Sequence, residues 1–144
     1  MPISEQRLPF LACIRVAAAI FAACLLAAGA NTVTLSGKVT GGSGKHTIYV
    51  ALWDGQNFLG KPVQQIRIAS GTTPDFHFDV PPGRWALSAY EDKNENGKLD
   101  MGMFGPSEPS GFWHPFHAWR KPRFSDVAVQ IDHDTSGIEI KLGR

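Results

Sequence analysis

Cysteine is scarce in this chain of 144 residues: Cys13 and Cys24 are the only two, and both lie within residues 1–30. From residue 31 onward, a disulfide, a zinc–thiolate site and a thiol nucleophile are therefore excluded. An excess of charge of one sign is also lacking, since residues 31–144 hold 12 of the 14 basic and 12 of the 13 acidic residues. A balanced charge without basic runs gives no reason to expect binding to nucleic acid.

Long apolar runs are confined to the first 30 residues. Arg7 and Arg15 supply positive charge, an apolar run follows, and Ala28-Gly29-Ala30 has the small-x-small form of a cleavage site, which predicts a secretory signal peptide over residues 1–30. An uncleaved anchor and lipidation at Cys24 remain alternatives, although the run is shorter than the roughly 20 residues of a spanning helix. We expect a periplasmic or secreted protein, with membrane contact only if this segment is retained or lipidated.

Helical periodicity, internal repeats and low-complexity tracts are lacking after residue 31, where short alternating segments are separated by glycine and proline. This pattern is typical of strands. Seven strands are predicted. Five cover residues 33–39, 46–53, 63–68, 76–80 and 85–91. The sixth lies around Val127, Val129 and Ile131, and the seventh around Ile138, Ile140 and Leu142. Pro81-Pro82-Gly83 is predicted to close a hairpin between the fourth and fifth. The chain is thus expected to fold as one all-β domain over residues 31–144, a seven-stranded Greek-key β-sandwich.

One long irregular loop, over residues 92–123, interrupts this pattern. A connection of that length inside a compact domain usually has a function. It begins with Asp92-Lys93-Asn94-Glu95-Asn96-Gly97-Lys98-Leu99-Asp100, in which oxygen-bearing side chains occupy positions 1, 3, 5 and 9 and glycine occupies position 6. That spacing is typical of a calcium loop.

The predicted metal site has side-chain oxygens from four residues and one backbone carbonyl, in the order Asp92, Asn94, Asn96, Lys98 (carbonyl) and Asp100. Position 12 holds Met103 instead of the glutamate of an EF-hand, so Glu108 or Glu91 is expected to complete the shell. Hard oxygen ligands favour calcium over zinc or copper. The alternative is a surface turn that is rich in Asn, Asp and Gly and binds no ion.

The second half of the loop is rich in aromatic residues, namely Phe112, Trp113, Phe116 and Trp119, and Phe124 follows directly after it. Exposed aromatic clusters often mark recognition sites, so Trp113, Phe116 and Trp119 are a candidate platform for sugar rings or another ligand. The favoured alternative is that these side chains form a small satellite core that packs the loop onto the sandwich.

Several motifs resemble one bacterial family. These are Phe78-Asp79-Val80-Pro81-Pro82-Gly83-Arg84-Trp85-Ala86-Leu87, the segment from Glu91 to Asp100, Phe104-Gly105-Pro106-Ser107-Glu108, Gly111-Phe112 and Lys121-Pro122-Arg123-Phe124-Ser125-Asp126-Val127-Ala128. Together they are similar to domain of unknown function 2141, a secreted family without an established activity. The resemblance spans roughly residues 35–142 and implies a prealbumin-like (transthyretin-like) fold and export.

The sequence therefore predicts an exported, non-enzymatic β-sandwich in which a calcium loop orders an aromatic surface loop for an unknown envelope ligand or protein. A carbohydrate-binding module is one alternative. Another is a transthyretin-like hydrolase. Enzymes of that kind end in Tyr-Arg-Gly-Ser, whereas this chain ends in Lys141-Leu142-Gly143-Arg144.

Overall fold

A computed structural model describes residues 31–117 and 120–143 of the protein. This part contains ten strands and one short helix. In chain order they are β1 (Val33–Thr40), β2 (Thr47–Trp53), β3 (Gln64–Ile68), β4 (Asp75–Val80), β5 (Gly83–Asp92), β6 (Met101–Gly102), β7 (Gly105–Pro106), β8 (Ser110–Phe112), α1 (Phe124–Val127), β9 (Val129–Ile131) and β10 (Thr135–Lys141).

Two sheets pack against each other. One has the strand order β10-β1-β4, and the other has the order β3-β2-β5-β8, with β9 pairing to the beginning of β5. The β1–β10 pair is parallel, while β1–β4, β2–β3, β2–β5 and β5–β8 are antiparallel. Strands β6 and β7 form a separate two-stranded hairpin. The predicted all-β, sandwich-like architecture is confirmed.

The core lies between the two sheets and follows the alternation of the sequence. In β4, Phe76, Phe78 and Val80 are buried while the intervening Asp75, His77 and Asp79 are exposed. Leu87 and Ala89 of β5 join the same core cluster from the opposite sheet. Strand side chains alternate between faces, so β4 contributes every second residue to the interior. Strands β2 and β5 are buried on both faces, since Ala51, Trp53 and Ala86 belong to a second cluster.

The predicted hairpin between the fourth and fifth strands is wrong. Strand β4 pairs with β1, whereas β5 pairs with β2, so Pro81-Pro82 carries the chain from one sheet to the other. This arrangement places Phe78 and Leu87 in one core cluster. Facing sheets bury both apolar faces, which a hairpin within one sheet does not do.

The predicted number of seven strands is also wrong. The long connection contains three further short strands, β6, β7 and β8. In addition, Val127 lies in α1 and not in the strand that was predicted around it. Asp126 accepts a hydrogen bond from the Arg123 backbone N–H at the start of α1 (2.7 Å), and Val127 is buried beneath this turn. A local cap thus favours one helical turn where hydrophobic alternation favours a strand.

The predicted signal peptide over residues 1–30 lies outside the described residues. Among the residues that are described, no helix has both the length and the apolarity that crossing a bilayer requires. All of the strand pairings and both core clusters described here fall within residues 33–143. A protein that begins at Asn31 therefore contains the whole of this sandwich.

Candidate functional site

The candidate metal loop starts where β5 ends, at Asp92. This residue is fully buried. Its Oδ1 accepts a hydrogen bond from the Asn96 N–H (3.2 Å) and its Oδ2 one from the Gly97 N–H (2.7 Å). Gly97 has φ of +76°, a conformation that glycine adopts without steric cost. Asp92, the first predicted ligand, therefore holds the turn in place because its carboxylate binds two backbone N–H groups of the turn.

Asp100, at the ninth position, accepts hydrogen bonds from the side-chain amides of the loop. Asn94 Nδ2 donates to Asp100 Oδ2 (2.6 Å), and Asn96 Nδ2 lies 3.1 and 3.0 Å from Asp100 Oδ1 and Oδ2. The Lys98 N–H donates to Asn96 Oδ1 (2.9 Å), which keeps the Lys98 peptide within the same turn. The structure thus brings together the predicted side chains of positions 3, 5 and 9.

Glu108, predicted to complete the shell, lies beyond residues 92–100 in the sequence but binds the backbone of that segment. It is buried, with an exposed fraction of 4%. Its Oε1 accepts from the Lys93 N–H (2.8 Å) and its Oε2 from the Asp100 N–H (3.2 Å). One carboxylate therefore joins the backbone at both ends of the loop.

Glu91, the alternative shell residue, belongs to a different contact. It is buried, and its carboxylate accepts hydrogen bonds from the Ser43 backbone N–H (2.9 and 3.1 Å) and from the Ser43 hydroxyl. Adjacent side chains of a strand point to opposite faces, so Glu91 and Asp92 cannot serve one site. Glu91 instead fastens the β1–β2 connection to the end of β5.

Glu95 has a structural role that the calcium-loop pattern does not predict. Its carboxylate accepts from the Thr47 N–H (2.9 Å) and hydroxyl (2.8 Å), and these two bonds, the backbone one first, lower the pKa of Glu95. Glu95 has φ of +57°, which is uncommon for a residue other than glycine. Its position between two Asn residues hides this contact with β2 from any motif search.

Tyr90 connects the loop to the sheet. It is almost buried and stacks on Tyr49, with 5.2 Å between the ring centroids. Burial raises the pKa of Tyr90 to about 12, and the charges of Asp92, Tyr49, Glu108 and Asp100 contribute in the same direction. The phenol thus reports on the negative potential of the loop.

The chemistry of the loop is that of hard oxygen donors. Within residues 31–117 and 120–143, no three His, Cys, Asp or Glu side chains form a group with metal-ligand spacing. The carboxylates of Asp92 and Asp100 are instead linked through the amide side chains of Asn94 and Asn96 and the backbone of the turn. An ionised carboxylate has about four acceptor sites, so both retain capacity for a cation.

The aromatic second half of the long loop, called the aromatic connection below, packs inward. Phe58, Phe112, Phe116 and Phe124 surround a second cluster of Ala51, Trp53, Ala86 and Val127. Trp113 packs against the main core instead. The predicted ligand residues Trp113 and Phe116 therefore contact different clusters, and Trp119 lies outside the described residues. This packing is what the satellite-core alternative predicts.

An ion pair between Arg120 and Asp126 borders the second cluster. Arg120 forms a bidentate pair with Asp126, with distances of 2.7 and 3.0 Å, and its guanidinium lies 5.0 Å from the centroid of the Phe116 ring. The Arg120 bond and the Arg123 N–H lower the pKa of Asp126 to about 2. Arg120 thus covers the aromatic cluster and holds its flanking turn.

The family comparison agrees with the motifs of the loop. The model of a family described as an uncharacterised protein conserved in bacteria matches residues 39–139, a range that includes β5, the candidate metal loop and the aromatic connection. Neither the curated proteins nor the solved structures gave a match.

Proposed function

The chain belongs to domain of unknown function 2141, a family conserved in bacteria, and we propose that it is an exported, non-catalytic β-sandwich whose loop at residues 92–100 binds a calcium-type cation. One observation carries the proposal. The side-chain amides of Asn94 and Asn96 are both within hydrogen-bond distance of the Asp100 carboxylate, beside the buried Asp92. These are the oxygen-bearing groups at positions 1, 3, 5 and 9 of a calcium loop.

Cation binding requires a change in the amides. Asn94 and Asn96 direct their nitrogens at Asp100, which is the favourable orientation for a carboxylate without a cation. A half-turn of each amide replaces nitrogen by oxygen, so that both residues become ligands while Asp100 binds the ion directly. Asn96 then gives up its bond to the Lys98 N–H, which weakens the net binding.

The expected consequence of binding is a fixed register for the segment that follows. The Asp100 carbonyl accepts from the Ser107 N–H (2.9 Å) and hydroxyl (3.0 Å), and the Asp100 N–H donates to Glu108. Next along the chain, the Glu91 N–H donates to the Pro109 carbonyl (2.9 Å) and β8 pairs with β5. An ion that immobilises Asp100 therefore stabilises the attachment of β8 and of the aromatic connection to the sheet.

Calorimetric titration of calcium into protein that begins at Asn31 tests the proposal. With few carboxylate ligands, we expect a dissociation constant on the order of 10⁻⁴ to 10⁻³ M, as in extracellular modules, and a rise in melting temperature with calcium concentration. Magnesium should bind more weakly, because it requires near-ideal octahedral geometry.

Asp100→Asn is the decisive variant, since it keeps the shape of the side chain and removes its charge. It should bind calcium at least about tenfold more weakly, because affinity depends on the number of charged ligands. Asp132→Asn is the matched control: Asp132 is exposed and follows β9, which pairs with the opposite end of β5. Equal calcium heats from wild type and Asp100→Asn, or none from wild type, would refute the proposal.

A further inference from the structure

An apolar hairpin projects directly after the candidate metal loop. Strands β6 and β7 pair Met101 with Pro106 and Gly102 with Gly105, and Met103 and Phe104 form the two-residue turn between them. No residue from Met101 to Pro106 has a polar side chain. Polar residues resume on both sides, at Asp100 and Ser107.

The apex of this hairpin is almost fully exposed. Met101 is 68%, Met103 91% and Phe104 95% accessible, and Val63 (45%) is the other large exposed hydrophobic residue of the described part of the chain. Neither core cluster of that part includes these three hairpin residues. Their side chains therefore contribute little to the packing of the sandwich.

The turn itself does not explain these residues. Neither Met103 nor Phe104 has a positive φ, so the turn accepts most residue types at these positions and does not require apolar ones. An exposed Phe beside two exposed Met residues promotes association. A contact outside the folded chain accounts for an apex of this composition.

We propose that the hairpin inserts Met101, Met103 and Phe104 into the interfacial layer of a phospholipid bilayer. The apex is convex, and a fluid lipid layer adapts to a convex shape, whereas a protein partner needs a matching pocket. In the interfacial layer, water still reaches the outward-facing backbone groups of this two-stranded hairpin. Its side chains are apolar and Pro106 has no N–H, so insertion to that depth desolvates few further polar groups. This route to a membrane is independent of the one predicted for residues 1–30.

The base of the hairpin determines which lipids it approaches. Residues 92–108 contain Asp92, Glu95, Asp100 and Glu108 against Lys93 and Lys98, a formal charge of −2. This charge opposes an anionic surface and is cancelled by one divalent cation. Insertion into zwitterionic lipid depends only on the apex, whereas binding to anionic lipid rests on the proposed function as well.

Vesicle flotation of protein that begins at Asn31 tests the proposal. A few apolar side chains bind less strongly than a single myristoyl chain, whose binding is itself marginal, so millimolar lipid is needed. We expect wild type to float with phosphatidylcholine vesicles with or without calcium. When phosphatidylglycerol is added to the vesicles, flotation should need calcium.

The double variant Met103→Ser, Phe104→Ser should partition at least about tenfold less than wild type into phosphatidylcholine, because most of the inserted apolar area is lost. Val63→Ser, at an exposed apolar residue away from the hairpin, is the control and should float like wild type. Melting temperatures of all three proteins should agree. Equal flotation of the double variant and wild type, or no flotation of wild type, would overturn the proposal.

The two proposals fail separately. Calcium heat without flotation of wild type rejects insertion and supports the metal loop. Flotation on phosphatidylcholine that depends on the apex, without calcium heat, rejects the metal loop and supports insertion.

Discussion

Three buried carboxylates at residues 91, 92 and 108 share one property: each binds backbone N–H groups of a neighbouring segment. Glu91 holds Ser43, Asp92 holds Asn96 and Gly97, and Glu108 holds Lys93 and Asp100. Hydrogen bonds to a charged acceptor are roughly twice as strong as neutral ones. These carboxylates thus link segments of the chain by hydrogen bonds, in a protein that has no cysteine after residue 30 to form a disulfide.

Titration of Tyr90 is the prediction at the residue scale. Its pKa is raised to about 12 from the ordinary value of 10.0, so the folded protein resists an ionisation that the unfolded chain undergoes at pH 10. The stability that depends on neutral Tyr90 is therefore complete below pH 10 and is lost as the pH rises to 12. Tyrosinate absorbance should show this titration at about pH 12.

The chain has two tyrosines, so the Tyr49→Phe variant isolates the signal of Tyr90. Calcium should lower this pKa, because the ion neutralises the charges of Asp92, Glu108 and Asp100 that help to raise it. A Tyr49→Phe protein whose remaining tyrosine titrates near pH 10 would show that Tyr90 is neither buried nor in a negative environment.

At the scale of elements, the attachment of β8 relies on a close approach of two backbones. Gly111 pairs with Ala89 of β5, and a methyl group at Gly111 would overlap the Lys141 carbonyl oxygen. Ser110 and Gly143 exchange two backbone hydrogen bonds of 3.0 and 3.1 Å at the same place. Glycine at position 111 therefore allows the aromatic connection to lie against both β5 and the end of β10.

Replacing Gly111 by Ala is the prediction at this scale. Because the added methyl group meets backbone and not a movable side chain, we expect a loss of about 1–3 kcal/mol in the free energy of unfolding. Urea denaturation measures this loss. Hydrogen exchange of the Trp113 N–H, which donates to Leu87 (2.9 Å), should accelerate.

Gly143→Ala is the matched control, since a Cβ at Gly143 has no other atom within 4 Å. Its free energy of unfolding should stay within about 0.5 kcal/mol of wild type. If Gly111→Ala were equally mild, β8 would not lie as close to Lys141 as the structure places it.

For the whole molecule, stability depends on one core that both sheets share. Residues of β1, β2, β4, β5 and β10 enter the same cluster, and the parallel β1–β10 pair brings strands from the two ends of the described chain together. Because these contacts join distant parts of the chain, the sandwich should unfold as one cooperative unit.

A pair of adjacent β4 residues tests this shared core. Phe78 is 2% exposed and lies in the core, whereas His77 faces solvent. Phe78→Ala should lower the free energy of unfolding by about 3–5 kcal/mol, while His77→Ala should change it by less than about 0.5 kcal/mol. Similar losses in urea denaturation would mean that the register of β4 is shifted by one residue, since such a slip exchanges its faces.

Local patterns determined much of this protein. Alternation in β4 predicted which residues are buried, because a strand with one solvent face must place its apolar residues on the other. The Asp92 to Asp100 spacing predicted that the side chains of Asn94, Asn96 and Asp100 meet, because glycine at position 97 permits a tight turn within nine residues. Both features depend on neighbours along the chain.

Tertiary structure decided the rest. Pro81-Pro82-Gly83 is compatible with a hairpin and with a crossing between sheets, and only the competition for pairing partners selects the crossing. Likewise, Glu91 and Asp92 are adjacent in sequence but bind different segments, while Glu108 reaches back to Lys93. The apolar residues 101–106 resemble core residues by composition, and only the packed sandwich shows that they remain outside it. These outcomes depend on contacts between distant residues, which no local pattern encodes.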